Sequence, residues 1–332
     1  MHRLAYLLIL CVVVLAVGPA GTGQAAETMR LARVSYSTGW DALPIVVGIE
    51  RGLFARHDLI VSGVAAQDAK SVAASLAAGS TDVAIMPQRA FLALVDAGVE
   101  VTAIAVNTWG SQLQLLAAPR SAVQAVPDLR GRTIAVSRGS GAVGILMRLL
   151  NQNGLTQRDV RLLELPANGV SGALDTGRAD AAFEFAHLTA PIVAAGRGRV
   201  ILDAEAVRKK LGLIAAMPVV ASNRFLAREP ETARAVIAGW IDAQRYIHEQ
   251  PDDSATLMRV FLHRHGVTAS ERLVSMWIGM QRYDQPAWTP NAVKDAEYNA
   301  WGLRELGLIK TVPDVARHVD NRFVEQTAAT GR

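Results

Sequence analysis

Two short turns combine hydroxyls with glycines, Ser37-Thr38-Gly39-Trp40 and Ser137-Arg138-Gly139-Ser140-Gly141. Each follows a run that reads as a strand and precedes a helical stretch, so that glycine N–H groups, hydroxyls and a helix N-terminus converge. Such a set favours an anion, to which Arg138 or Arg89 adds a full charge; the same hydroxyls can instead cap their own helices. Glu184 ends the apolar run Ala181-Ala182-Phe183. A carboxylate placed there either faces a cleft, where it takes an amine or ring nitrogen of a ligand, or forms a salt bridge across an interface. Trp40, Trp109 and Phe185 offer ring faces to an apolar or aromatic ligand body, or simply pack. Gln88 lies in the loop Met86-Pro87-Gln88, which pairs with Glu184-Phe185-Ala186. The chemistry suggested is capture rather than conversion. The chain has no Gly-x-Ser-x-Gly elbow and no His-Glu-x-x-His signature, and the Ser137–Gly141 turn lacks the spacing of a nucleotide loop. His263-Arg264-His265 has no third ligand at a useful spacing. No catalytic residue, metal site or cofactor is predicted.

The elements that must position these residues alternate in period between strand and helix, the pattern of an α/β fold with largely parallel sheets. Leu31 to Ser35 reads as the first strand, followed by a helix that Asp41 can cap and Pro44 can start. The plan recurs with Thr133 to Val136 as strand and Ala142 to Asn153 as helix. Aligning Val34 with Val136 also pairs Ser35 with Ser137, Gly39 with Gly141 and Gly52-Leu53 with Gly154-Leu155, without a gap. A second match sets Leu76-Ala77-Ala78-Gly79-Ser80-Thr81-Asp82 against Leu174-Asp175-Thr176-Gly177-Arg178-Ala179-Asp180. Two matches in the same order indicate an internal duplication and hence two similar α/β lobes facing each other across a ligand cleft. Leu113 to Ala118 and Pro218 to Ser222 are the expected crossings between them. Helices are expected over Pro230–His248, Pro251–His265 and Ser270–Met280, packing back on the first lobe. The expected division is 27–117 with 219–332 for lobe 1, and 118–218 for lobe 2.

Composition narrows the class further. His2 and Arg3 precede the apolar run Leu4 to Val17, long enough for a signal-peptide core and short of the ~20 residues that span a bilayer. Small residues around Gly23-Gln24-Ala25-Ala26 predict cleavage after Ala25 or Ala26, with residues 1–26 as signal peptide and a periplasmic mature chain. Cys11, the only cysteine, lies inside that run, so disulfides, thiolate metal sites and a cysteine nucleophile are excluded from the mature chain. The formal charge is +4 and the basic residues are dispersed, which argues against nucleic acid.

Several segments in order resemble the periplasmic solute-binding proteins for nitrate, taurine and aliphatic sulfonates, together with their thiamine-precursor relatives. They are Gly48-Ile49-Glu50-Arg51-Gly52-Leu53-Phe54, the two Leu-x-x-Gly-x-x-Asp segments, Asp128-Leu129-Arg130-Gly131-Arg132-Thr133-Ile134-Ala135-Val136 and Asn223-Arg224-Phe225-Leu226. The resemblance implies a type II periplasmic binding protein fold with two crossing strands as hinge. It also implies a monomer that delivers its solute to the permease and ATPase subunits of an ABC importer. The ligand contacts it implies fall on the loops already named, with Ser37, Thr38, Gly39, Trp40 and Gln88 on one side, and Arg138, Gly139, Ser140, Gly141, Glu184 and Phe185 on the other; Trp109 joins the expected contacts through its ring alone. A taurine-like amino-sulfonate would use both an anion-binding turn and Glu184; a thiamine-type pyrimidine would use stacking and Glu184. The first is preferred. Fungal pyrimidine synthases on this fold depend on iron and a cysteine-rich motif, which a thiol-free mature chain lacks. Two further functions suit the same two-lobed fold: a secreted lyase or hydrolase acting in the cleft, and a sensor domain that hands its ligand to a membrane receptor.

Overall fold

The computed structural model describes residues 29–110, 113–138, 142–211 and 216–330; the expected signal segment and Gly139, Ser140 and Gly141 lie outside them. The chain begins with β1 (Arg30–Ser37), α1 (Leu43–Glu50), β2 (Leu59–Ala66), α2 (Ala69–Ala77), β3 (Val83–Ile85), α3 (Gln88–Asp96) and β4 (Val101–Trp109). It continues with β5 (Leu113–Ala117), β6 (Thr133–Ser137), α4 (Ala142–Asn151), β7 (Arg161–Leu165), α5 (Gly169–Asp175), β8 (Ala181–Phe185), α6 (Ala186–Ala194), β9 (Arg199–Leu202) and α7 (Ala204–Leu211). After β10 (Ala216–Ser222) come α8 (Asn223–Arg228), α9 (Pro230–Glu249), α10 (Pro251–Arg264), α11 (Glu271–Gly279), α12 (Pro290–Glu305) and α13 (Arg322–Thr330).

Two five-stranded sheets result, in the orders β2-β1-β3-β10-β4 and β7-β6-β8-β5-β9. The connectivity is the same in both. The first three strands of each unit run parallel, and an antiparallel strand from the other half of the chain lies between the third and the fifth. β5 therefore belongs wholly to the second sheet and β10 to the first, so the chain changes sheets between residues 109 and 113 and again between 211 and 216.

One side-chain clasp is repeated. Asp82 accepts from the Arg33 N–H at 2.9 Å and Asp180 from the Thr133 N–H at 2.9 Å, each fastening the third strand to the first. The Leu-x-x-Gly-x-x-Asp segments thus code for the same joint twice. Their glycines, Gly79 and Gly177, sit at φ 71° and 70°, where a side chain would be strained.

The alignment of the first strands needs a correction. β3 pairs Val83 with Val34, and β8 pairs Ala181 with Ile134, so Val34 corresponds to Ile134 and not to Val136. Ser37 and Ser137 are then the matching strand ends, and the next N–H groups, of Thr38 and Arg138, donate to Ala66 and Leu165 in the same way. The caps Gly52 and Gly154 still correspond, which leaves two extra residues between strand end and cap in the second unit. A slip of two keeps every side chain on its own face of the sheet, so hydrophobic alternation does not detect it.

Both faces of each sheet are covered. Residues of α1, α9, α10 and α11 form one core with β1, built around Phe54, Trp240 and Trp277, while Ala292, Ala296, Ala300 and Leu303 of α12 pack with Phe91 and Leu92 on the other face. The three tail helices expected from sequence start and stop within about a residue of that reading, while α8, α12 and α13 add helices it does not name. Arg51-Gly52-Leu53-Phe54 also has a physical basis. Gly52 turns the chain at φ 63°, Leu53 and Phe54 are buried, and the Phe54 ring fills the space above Gly48 and Gly239, where a Cβ would overlap it.

Candidate functional site

Ligands of open parallel sheets bind beyond the carboxyl ends of the strands. Here β3 leads through Met86 and Pro87 into α3, and β8 runs directly into α6 with Phe185 as N-cap. Between these strand ends lies a cavity of about 320 Å³. Gln88, Arg89 and Leu92 of α3 form one wall, Ile145 of α4 and Phe185 another, and Leu113 and Met217 from the two sheet changeovers the floor. Tyr298, Asn299, Leu303 and Leu306, with Leu308 just beyond α12, complete it. Among the described residues, Arg89 is the one charged residue of the lining. Pro87 caps α3 without a side-chain hydrogen bond, so the helix N-terminus opens on this space uncapped. Gln88 Oε1 accepts from Asn299 Nδ2 at 2.6 Å, while Gln88 Nε2 is buried without a partner among the described residues. The wall thus holds a guanidinium and the start of a helix close together, with apolar surface around them.

Of the residues singled out from sequence, Gln88, Arg89 and Phe185 meet in this cavity. The first turn does other work. Ser37 Oγ accepts from the Gly39 N–H at 3.0 Å and donates to the Asp41 carboxylate, so a hydroxyl and an amide expected to face a ligand serve the turn itself. Asp41 does not cap α1, whose N-cap is Ala42; burial raises its carboxyl above the usual range, opposed by Ser37 and by its own N–H. Thr38 extends the β1–β2 pairing through its N–H, and the Trp40 ring packs on Trp277 with centroids 4.9 Å apart.

Glu184 is fully buried. It accepts from the Ser137 N–H and, at 3.2 Å, from the Phe185 N–H, and so ties the end of β6 to β8. Neither expected role, a cleft-facing carboxylate or a salt bridge across the lobes, is what its surroundings provide. Burial raises its pKa, opposed by the contacts with Ser137 and Phe185. Trp109 is a packed residue: 4% exposed, it gives its indole N–H to the Gln285 carbonyl and pairs its backbone with Arg282, fastening β4 to the segment before α12. Arg138 is exposed, with Nη2 3.5 Å from the Glu164 carbonyl.

The part of the site that sequence reasoning missed is α12. From α4, Arg148 reaches across to it: Nη1 donates to Asp295 Oδ1 at 2.9 Å, the guanidinium carbon lies 4.5 Å from the Tyr298 ring centroid, and Nη2 holds the Leu211 carbonyl at 2.6 Å. The Asp295 side chain is 4% exposed and that of Arg148 20%. One residue of the second unit is thus clamped to the helix that walls the cavity from the first.

Comparison with known proteins agrees with this architecture. A protein of Brucella abortus named only as a binding protein is 23% identical over 231 residues, covering 69% of this chain and 71% of the relative. The structure superposes with a TM-score of 0.77 on the periplasmic aliphatic sulphonate binding protein SsuA from Escherichia coli, at 18% identity over 88% of this chain and 92% of that one. It also superposes on the desulfurization enzyme DszB, with a TM-score of 0.67 and 16% identity over 91% of this chain and 100% of the enzyme. The sequence model of the NMT1/THI5-like family matches residues 40–254. With well over half of its length matched, and with the two-sheet fold of the periplasmic binding proteins, the chain belongs to the NMT1/THI5-like family.

Proposed function

We propose that this chain is the solute-binding component of an ABC importer. Exported and freed of residues 1–26, it holds a small organic anion of sulfonate type between its two lobes and presents it, as a monomer in the periplasm, to permease and ATPase subunits. The observation that carries the reading is the cavity itself. Both units supply its walls at their strand ends, and only the two sheet changeovers join those units covalently, so a solute bound there favours the arrangement that encloses it. The SsuA likeness supports transport. The DszB likeness supports a second reading, chemistry in the same cavity, since an enzyme shares the fold.

One experiment separates the two. Thermal unfolding of the chain from Glu27 is followed with sulfonates, taurine, nitrate, carboxylates and thiamine-type pyrimidines, because a ligand of the native state raises the melting temperature. A rise with one class, with the ligand recovered unchanged after long incubation, is the expected outcome. Consumption of the ligand would replace transport by catalysis.

A further inference from the structure

The two units leave different strand edges to solvent. One edge of each sheet is its second strand in chain order, β2 in the first unit and β7 in the second. A free edge presents a row of backbone N–H and C=O groups, and it is ordinarily shielded by charge, proline, a bulge or shortness. β7 follows that rule: it has five residues, and Arg161 and Glu164 on it are exposed. β2 does not. It is eight residues long, Leu59-Ile60-Val61-Ser62-Gly63-Val64-Ala65-Ala66, without charge or proline, and its pairing with β1 runs without irregularity. Ser62 to Ala65 are exposed, and Ile60 and Val64 form an exposed apolar strip with Leu31 of β1. The carbonyls of Asp58 and Ala66 accept from the Arg30 and Thr38 N–H groups at either end of the β1–β2 ladder. By alternation Ile60, Ser62 and Val64 bond inward, while Val61, Gly63 and Ala65 turn their N–H and C=O groups outward. Among the described residues none of these outward groups has a partner.

We infer that a second copy of this chain completes this edge: β2 pairs antiparallel with β2 of the other copy about a two-fold axis at Gly63, which continues the first sheet of one copy into that of the other. The strand is complementary to itself. About that axis Gly63 faces Gly63, Val61 faces Ala65, Ser62 faces Val64 and Ile60 faces Ala66, so small and apolar residues meet and no like charges are opposed. Val61, Gly63 and Ala65 are also the residues whose backbone groups point outward, and antiparallel partners of that kind exchange both their N–H···O bonds. The pairing leaves solute capture untouched. β2 and β4 are opposite edges of the sheet, β4 is the one that runs into a changeover, and no residue of β2 lines the cavity. A single strand pair covers less than the ~1,200 Å² buried by stable complexes, so half-dimerisation is expected on the order of 100 µM and the dilute monomer remains the presenting form.

The test is sedimentation equilibrium of the chain from Glu27 between about 1 µM and 1 mM, where the mass should rise from that of one chain toward that of two. Amide hydrogen exchange at Val61, Gly63 and Ala65 should slow over the same range, while that at Ile60, Ser62 and Val64, already bonded to β1, stays as it is. Ala65→Pro removes an outward N–H without touching the β1 ladder and should abolish the dimer. Ser62→Lys combined with Val64→Lys sets lysine opposite lysine and should weaken the dimer by about ten-fold or more, with the melting temperature of the monomer unchanged. Gly63 is left as it is, because a Cβ there would lie 2.8 Å from the Tyr36 hydroxyl. A mass of one chain at every concentration, a dimer whose Val61, Gly63 and Ala65 amides exchange as fast as the monomer's, or a dimer that both folded variants retain would overturn the inference. If Ala65→Pro does not fold, the lysine variant decides alone.

Discussion

Replacing Arg148 by Ala tests whether the two units are held together where the cavity is formed. The variant leaves Asp295, 4% exposed, without the guanidinium at 2.9 Å, and removes the stacking on Tyr298 and the bond to the Leu211 carbonyl. Breaking a fully buried ion pair costs about 3–5 kcal/mol. Arg148 is one-fifth exposed, which lowers the ionic part to about 2 kcal/mol, and the ring contact adds about 0.5. For a chain of this length, about 2.5 kcal/mol lowers the melting temperature by about 5 °C. If closure around a solute uses the contact, half of that energy alone weakens affinity by close to ten-fold. Differential scanning calorimetry and titration with the best solute read the two effects separately. The double variant Arg148→Met with Asp295→Leu should recover most of the stability, because an apolar pair replaces the ionic one without leaving a stranded charge. A melting temperature within about 1 °C of the wild type in Arg148→Ala would refute the energetic reasoning. A lowered melting temperature with unchanged affinity would show that closure does not use the contact.

Three further expectations follow from packing and ionisation. Glu184→Gln keeps one acceptor oxygen but turns an amide N–H₂ toward a backbone N–H, and should cost about 1–2 kcal/mol near pH 4.5 in urea unfolding. Because burial raises Glu184 above 4.5, its contribution to wild-type stability is full below that pH and is lost as pH rises through the folded value, so the gap to the variant should narrow toward pH 7.5; a constant gap would contradict it. Asp96 is the mirror case. Held below 3.8 by the N–H groups of Lys310 and Thr311 and by the Thr311 hydroxyl, it stabilises the fold above that pH and ceases to as pH falls through the folded value. The melting-temperature deficit of Asp96→Asn should therefore be present at pH 7 and vanish in acid, and its persistence there would count against the linkage. Gly239→Ala places a Cβ in the Phe54 ring and 3.0 Å from the Phe54 Cα, and should destabilise by about 1–3 kcal/mol in the same urea assay; a neutral result would mean that α9 can slide away from α1.

How much of this was legible in the sequence differs between fold and site for a physical reason. The duplication was readable because its marks are local demands on single residues. A helix that ends in the left-handed region needs Gly79 or Gly177, and a third strand fastened to the first needs Asp82 or Asp180. The same locality made the tail helices readable through their apolar spacing and start signals, such as Ser270, whose hydroxyl accepts from the Leu273 N–H. What single residues do not encode is how far one repeat has slipped against the other. Val34 and Val136 look alike, yet the partner strand selects Ile134.

The site was less legible because its walls are long-range. Gln88 and Phe185 could be named, since each follows a strand at the end where ligands bind, but which of their neighbours complete the cavity depends on where α12 lands. No helix is read there from sequence; in the structure Ala292, Ala296 and Ala300 form one buried stripe of α12. The same periodicity puts Tyr298 and Asn299 on another, where the structure gives them Arg148 and Gln88 to meet. Asn299 fixes the Gln88 amide, and Tyr298 takes the guanidinium from the opposite unit. Tyr298 and Asn299 are neighbours on one helix, so a shift of α12 moves the partner of the Gln88 amide and the contact between the units together.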